Sequence, residues 1–170
     1  MRNHATVGIG PLAFLALLGC GGNGTPAEEE FTDARRAQIE AEVGQIMAEL
    51  VDAAKQADME PIGARLTAEA SVCIWGASVS DCREILERHR GAWTSGEGPW
   101  LERQEMDGEE IRVMAISPTV AIGVLTVEEN RAIFSTGDVI RASFASLSVF
   151  VLEEDGWKLH TGQQASWPVG

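Results

Sequence analysis

The apolar pattern of this chain changes period once, near Trp100. Before that point the apolar residues recur at helical spacing. Ile39, Val43, Ile46, Met47, Leu50 and Ala54 fall on one face of a long helix ending near Ala57. Thr32 or Asp33 can open it by accepting a bond from the first free backbone N–H groups. Asp58-Met59-Glu60-Pro61 begins a short second helix, with the proline tolerated in the first turn and Ile62 and Leu66 turned inward. Val72 to Trp75 reads as a strand and Gly76 to Ser80 as a loop. Ser80 or Asp81 then caps a third helix, whose apolar face is Cys82, Ile85, Leu86, His89, Ala92 and Trp93. After Trp100 the segments alternate as strands do. Leu101 to Ser117 is strand-like, with a turn or bulge at Asp107-Gly108. Thr119 to Phe134, Val139 to Glu153 and Trp157 to about Ser166 follow, separated by turn signals at Thr136-Gly137-Asp138 and Asp155-Gly156. Helices first and antiparallel strands afterwards predict an α+β fold.

Composition narrows the function classes. Twenty-six acidic residues against 13 basic ones give a net charge of -13. No stretch supplies the clustered Lys and Arg that a phosphate backbone demands, so nucleic acid is not an expected partner. With 45% apolar and 23% charged residues, the chain is neither a disordered acidic tail nor a polytopic membrane protein. Five Trp and no Tyr leave aromatic ligand contacts to Trp, Phe or His.

The first twenty residues read as an address. Arg2 and His4 precede an apolar run from Val7 to Leu18, too short to span a bilayer and suited to a secretory signal. Leu17-Leu18-Gly19-Cys20 resembles the lipobox of bacterial lipoprotein signal peptides. The resemblance implies cleavage after Gly19 and acylation of Cys20, whose chains anchor the protein at about 0.8 kcal/mol per buried methylene. Gly21, where an Asp would retain the protein, implies the periplasmic face of the outer membrane. The expected organisation is therefore a signal at 1–19, a lipidated cysteine and flexible tether at 20–31, and a folded domain at 32–170.

Two stretches carry a second resemblance. Ala70-Ser71-Val72-Cys73-Ile74-Trp75-Gly76 followed by Cys82-Arg83-Glu84-Ile85-Leu86 is similar to a first strand, loop and pocket-closing helix. The segment from Ser146 to Leu159, with its acidic turn, glycine and Trp157-Lys158-Leu159, is similar to a closing hairpin. Together they resemble the SnoaL-like branch of the nuclear-transport-factor-2-like superfamily. That implies a cone-shaped, curved antiparallel sheet wrapped around three helices, a cystatin-like α+β roll enclosing a pocket. It also implies a homodimer through the outer sheet face. Apolar residues on both faces of the strand 140–152 agree. Phe144 and Phe150 share one face, and Leu147, Val149 and Val151 the other, where a solvated face would be polar.

The candidate ligand residues are Trp75, His89, Trp93, Ser146, Ser148 and Gln164. His89 is the candidate general base, flanked by Ile85 and Trp93 on the third helix. Ser146 and Ser148 are poor strand formers that either leave space for a ligand or pack against bulky neighbours. Gln163 and Gln164 end the last strand near the region where the resemblance implies polar pocket residues. His160 shares a register with Lys158 and Gln164, and Lys158 points that register to solvent. The resemblance implies that Trp157 closes the hairpin in the core rather than serving as a ligand platform. No Asp stands inside an apolar strand, and no cofactor or metal site is expected. Cys73 and Cys82 are either a disulfide pair in an oxidising compartment or two buried thiols. The leading expectation is a lipid-anchored envelope protein whose pocket binds a small apolar or amphipathic molecule without catalysis. The alternatives are a SnoaL-like isomerase, cyclase or hydrolase with His89 as base, and an interaction module that docks through its sheet.

Overall fold

The structure is a computed structural model that describes residues 31–67, 72–75, 78–84, 87 and 99–169. Helix α1 spans Asp33–Lys55, and its cap is Thr32, whose hydroxyl accepts from the Arg35 N–H at 3.2 Å. Its buried face is Ile39, Val43, Ile46, Met47, Val51 and Ala53. Leu50 and Ala54 sit half-buried at the margin of that face. Helix α2 is a single short turn, Glu60–Ala64, with Pro61 in its first turn and no buried residue. Leu66 is buried beyond it, in a parallel bridge to Leu159. Residues 82–84 and 87 are helical, and the rest of the expected third helix lies outside the described residues. Among the described residues no helix is long and apolar enough to cross a membrane.

Among the described residues seven strands form one sheet: β1 Val72–Trp75, β2 Ser78–Asp81, β3 Leu101–Asp107, β4 Glu110–Ser117, β5 Val120–Phe134, β6 Val139–Glu153 and β7 Gly156–Pro168. The order is β2-β1-β7-β6-β5-β3, with β4 also on β5. The fold class is α+β, as the period change predicts, with the curved sheet that the resemblance implies.

Two details differ from the sequence reading. The sheet is mixed, because β1 joins β7 in parallel. No hairpin links these two strands, so nothing local fixes their relative direction. The segment read as a loop from Gly76 to Ser80 contains β2, which pairs antiparallel with β1. Serines at positions 78 and 80 disguise this edge strand, whose register is set by its neighbour. Asp81 does cap the following helical turn, accepting from the Arg83 N–H at 2.7 Å.

The curvature has a local cause. Strands β3 and β4 do not pair with each other, and both lie along the same edge of β5. Asp107-Gly108 is thus a kink in one long line of strand. Gly108 has φ 63°, and a Cβ there would strike the Glu128 side chain. Opposite the kink, β5 carries a bulge, with Glu128 and Glu129 facing the single residue Ser143 of β6. The Ser143 hydroxyl donates to the Glu128 carbonyl at 2.6 Å, which accounts for a serine at this strand position.

The inner face wraps α1. Ile39, Val43 and Met47 pack with Ala115, Ala121, Leu125, Phe150 and Trp157 in a single buried cluster. Gly123 makes room for the Met47 thioether, which occupies the space a Cβ would need. The Trp157 indole N–H donates to Glu42 Oε2 at 3.1 Å, so the buried ring keeps a partner. Helix α1 also blocks the edge of β4. Arg36 donates to the Ala115 carbonyl and the Ala115 N–H donates to Glu40, each at 3.2 Å.

Candidate ligand cavity

Between the helices and the inner sheet face lies a cavity of about 360 Å³. Its helical wall comes from Met47, Leu50, Val51 and Ala54 of α1, joined by Met59 and Ile62. The sheet wall alternates large apolar rings with small polar groups. Phe144 and Phe150 flank Ser146 and Ser148 on β6, and Gln164 and Ser166 stand beside them on β7. The far end is closed by Leu101, Met106, Ala132 and Phe134.

Two bulges decide which side chains face inward. On β5 the buried residues are Ala121, Leu125 and Val127 before the bulge, at odd positions. After it Asn130, Ala132 and Phe134 line the cavity, at even positions. On β7 an extra residue, His160, falls where the pairing with β6 shifts between Val149 and Phe150. Trp157 and Leu159 face the core before it, and Gln164 and Ser166 face the cavity after it. The expectation that Lys158, His160 and Gln164 share one face is thereby corrected. The bulge at His160 puts Lys158 and Gln164 on opposite faces, and the His160 ring lines neither this cavity nor the chamber next to it.

A pair of amides spans the β3–β5 side of the cavity. The Gln104 amide nitrogen donates to the Ala54 carbonyl at 3.0 Å, and the Asn130 amide nitrogen donates to Gln104 Oε1 at 2.8 Å. A carbonyl can only accept, so the Ala54 contact fixes both amide orientations. Asn130 Oδ1 is left buried and without a hydrogen bond. Neither residue was singled out from the sequence. The signal that would have found them is the doublet Glu128-Glu129, where alternation breaks and the parity of β5 reverses.

Of the sequence candidates, Ser146, Ser148 and Gln164 line the cavity together. Ser146 and Gln164 are register partners. Trp75 pairs with Gln164 through its backbone, while its side chain lies outside the described residues. His89 and Trp93 lie outside the described residues altogether. Cys73 and Cys82 are joined in a disulfide with their Cα atoms 4.8 Å apart, tying β1 to the helical turn after β2. Among the described residues, no side chain lining the cavity is ionisable. The groups present can form neutral hydrogen bonds and bury apolar surface, and they offer no acid or base.

No family model matches the chain. No curated protein matches it either. Solved structures do. A hexachlorocyclohexane dehydrochlorinase from Novosphingobium barchaimii superposes with a TM-score of 0.62 at 10% identity, covering 82% of this chain and 95% of that one. A nuclear-transport-factor-2-like superfamily protein from Salmonella enterica gives 0.59 at 13% identity, covering 79% and 94%. A nuclear-transport-factor-2-like protein of unknown function in nutrient uptake from Rhodospirillum rubrum gives 0.55 at 16%, covering 74% and 98%. At these identities the likeness is one of fold, and the fold of this chain is the nuclear-transport-factor-2-like cone.

Proposed function

We propose that this chain is a lipid-anchored envelope protein whose cavity binds a small, uncharged apolar or amphipathic molecule without transforming it. The observation that carries the reading is the cavity lining: large apolar side chains, a few neutral polar groups, and no ionisable group among the described residues. Such a lining favours burial of apolar surface with a few orienting hydrogen bonds. General acid–base chemistry needs a titratable group within reach of the ligand. Native mass spectrometry of the full chain is expected to show a co-purified adduct that is lost on denaturation. Failure to retain any adduct, together with no thermal stabilisation by a panel of neutral amphiphiles, overturns the reading.

The competing enzymatic reading draws on the dehydrochlorinase of like fold. It requires His89 as base, so a His89→Ala variant that binds as the parent does supports the binding role. Loss of a measurable turnover in that variant supports the enzyme. The anchor is part of the proposal. Incorporation of a palmitate analogue is expected in the parent and absent in Cys20→Ala, and label retained in the variant removes the anchor from it.

A further inference from the structure

The cavity has a neighbour. A second chamber of about 230 Å³ is lined by Leu66, Cys73, Ile74, Cys82 and Leu159, among others. Five residues line both chambers: Met59, Ile62, Ser146, Ser148 and Gln164. The chambers therefore meet beneath α2, at one polar spot of the sheet. On either side of that spot the walls turn apolar. The first chamber extends toward Leu50, Phe134 and Phe144, and the second toward Leu66, Ile74 and the disulfide.

The polar spot is open to an occupant. The side chains of Ser146, Ser148 and Gln164 make no hydrogen bond among the described residues. They are half-buried on the inner sheet face, and their polar atoms are not sealed off from the cavity. By contrast, the Gln104 amide is paired at both ends. The open donors and acceptors thus sit where the two chambers join, in the middle of the combined space.

We infer that the ligand carries its polar group in its middle, as a secondary amide, an ester or an internal hydroxyl, with one apolar limb in each chamber. This rests on the reading that the cavity binds a small molecule. A molecule with a terminal head placed at the junction fills one chamber and leaves the other without an apolar partner. A pure hydrocarbon fills both but leaves the serines and the glutamine unpaired, which a site built to hydrogen-bond discriminates against. Among the described residues a carboxylate or phosphate would meet neutral groups only as it loses its hydration, on a chain whose net charge is -13.

Two isomeric probes separate these cases: N-hexylhexanamide, with a central amide, and dodecanamide, with a terminal one. Dodecanoate and dodecane supply the charged and the apolar comparisons. Calorimetric titration into the full chain is expected to show the central amide binding about tenfold more tightly than its isomer, which is about 1.4 kcal/mol. Dodecanoate and dodecane are expected to bind more weakly still. In Ser146→Ala/Ser148→Ala and in Gln164→Leu the preference between the isomers is expected to collapse while both continue to bind, with the unliganded melting temperature as the folding control. Equal or tighter binding of dodecanamide overturns the central-group inference and leaves the cavity reading intact. If none of the four binds, the cavity reading fails with it.

Discussion

Gly123 controls the cavity without lining it. Its missing Cβ is the space that the Met47 thioether fills, and Met47 is itself part of the cavity wall. In Gly123→Ala the flexible Met47 side chain has to turn away, and the adjacent free volume is the cavity. We expect about 1–3 kcal/mol of destabilisation from overpacking, with weaker binding of whatever occupies the site. Thermal melts and titration check the two parts separately. A variant structure with Met47 unmoved contradicts the account. Glu42 carries a different kind of information. The hydrogen bond from the Trp157 indole, then that from Gln38, and last the charge of Arg35 hold its carboxyl below the ordinary value of 4.5, against an opposing effect of burial that outweighs the Arg35 charge alone. A carboxyl depressed in the folded state contributes stability above its unfolded value and loses it as the pH falls through the folded one. Acid unfolding below about 4.5 is therefore expected to be less steep in Glu42→Gln than in the parent. Identical acid profiles rule out this contribution.

At the scale of elements, the sheet is governed by its irregularities. The kink at Gly108 and the bulge at Glu128-Glu129 lie opposite one another and bend the sheet around α1. The disulfide closes a short loop between β1 and the helical turn that follows β2, with nine positions separating its cysteines. In the chain-entropy account a loop of this size contributes about 2.7 kcal/mol. Replacing both cysteines by serine is expected to lower stability by that order and to abolish the mass change on reduction. A parent mass unchanged by reductant rejects the bond. These elements also show what the sequence could disclose. The helix cap, placed at Thr32 or Asp33, and the apolar stripe of α1 follow from local period and residue chemistry. The core position of Trp157 follows from the family resemblance. The serines of β6 stand out as poor strand formers without their face being fixed. The parallel seating of β1, the edge strand β2 and the inward amides of β3 and β5 follow from none of these. The first two are set by partners distant in sequence. The amides were hidden because an alternation rule assumes an unbroken pleat, and one extra residue reverses it.

Among the described residues the sheet presents two apolar faces, one lining the cavity and one turned outward. The outer sheet face carries Met114, Ile122 and Val124 beside Leu147 and Val149, in adjacent registers of β4, β5 and β6. Leu147 is 40% exposed there and Met114 54%. We propose that a second copy of the chain covers this face. Sedimentation of the parent is expected to show a dimer, and Met114→Glu, which lines neither chamber, a monomer with an unchanged cavity. A parent that stays monomeric at micromolar concentration rejects the pairing. The extra residue at His160 bears on how such a molecule diverges. Past it, the inward set on β7 includes Gln164 and Ser166, and the outward set includes Trp167. Loss of that one codon exchanges the two sets. Trp167 would then enter the space where Gln164 and Ser166 now leave room. A lineage with this sheet stands one deletion away from redrawing the β7 wall of its cavity, with no change to its strands, their order or their partners.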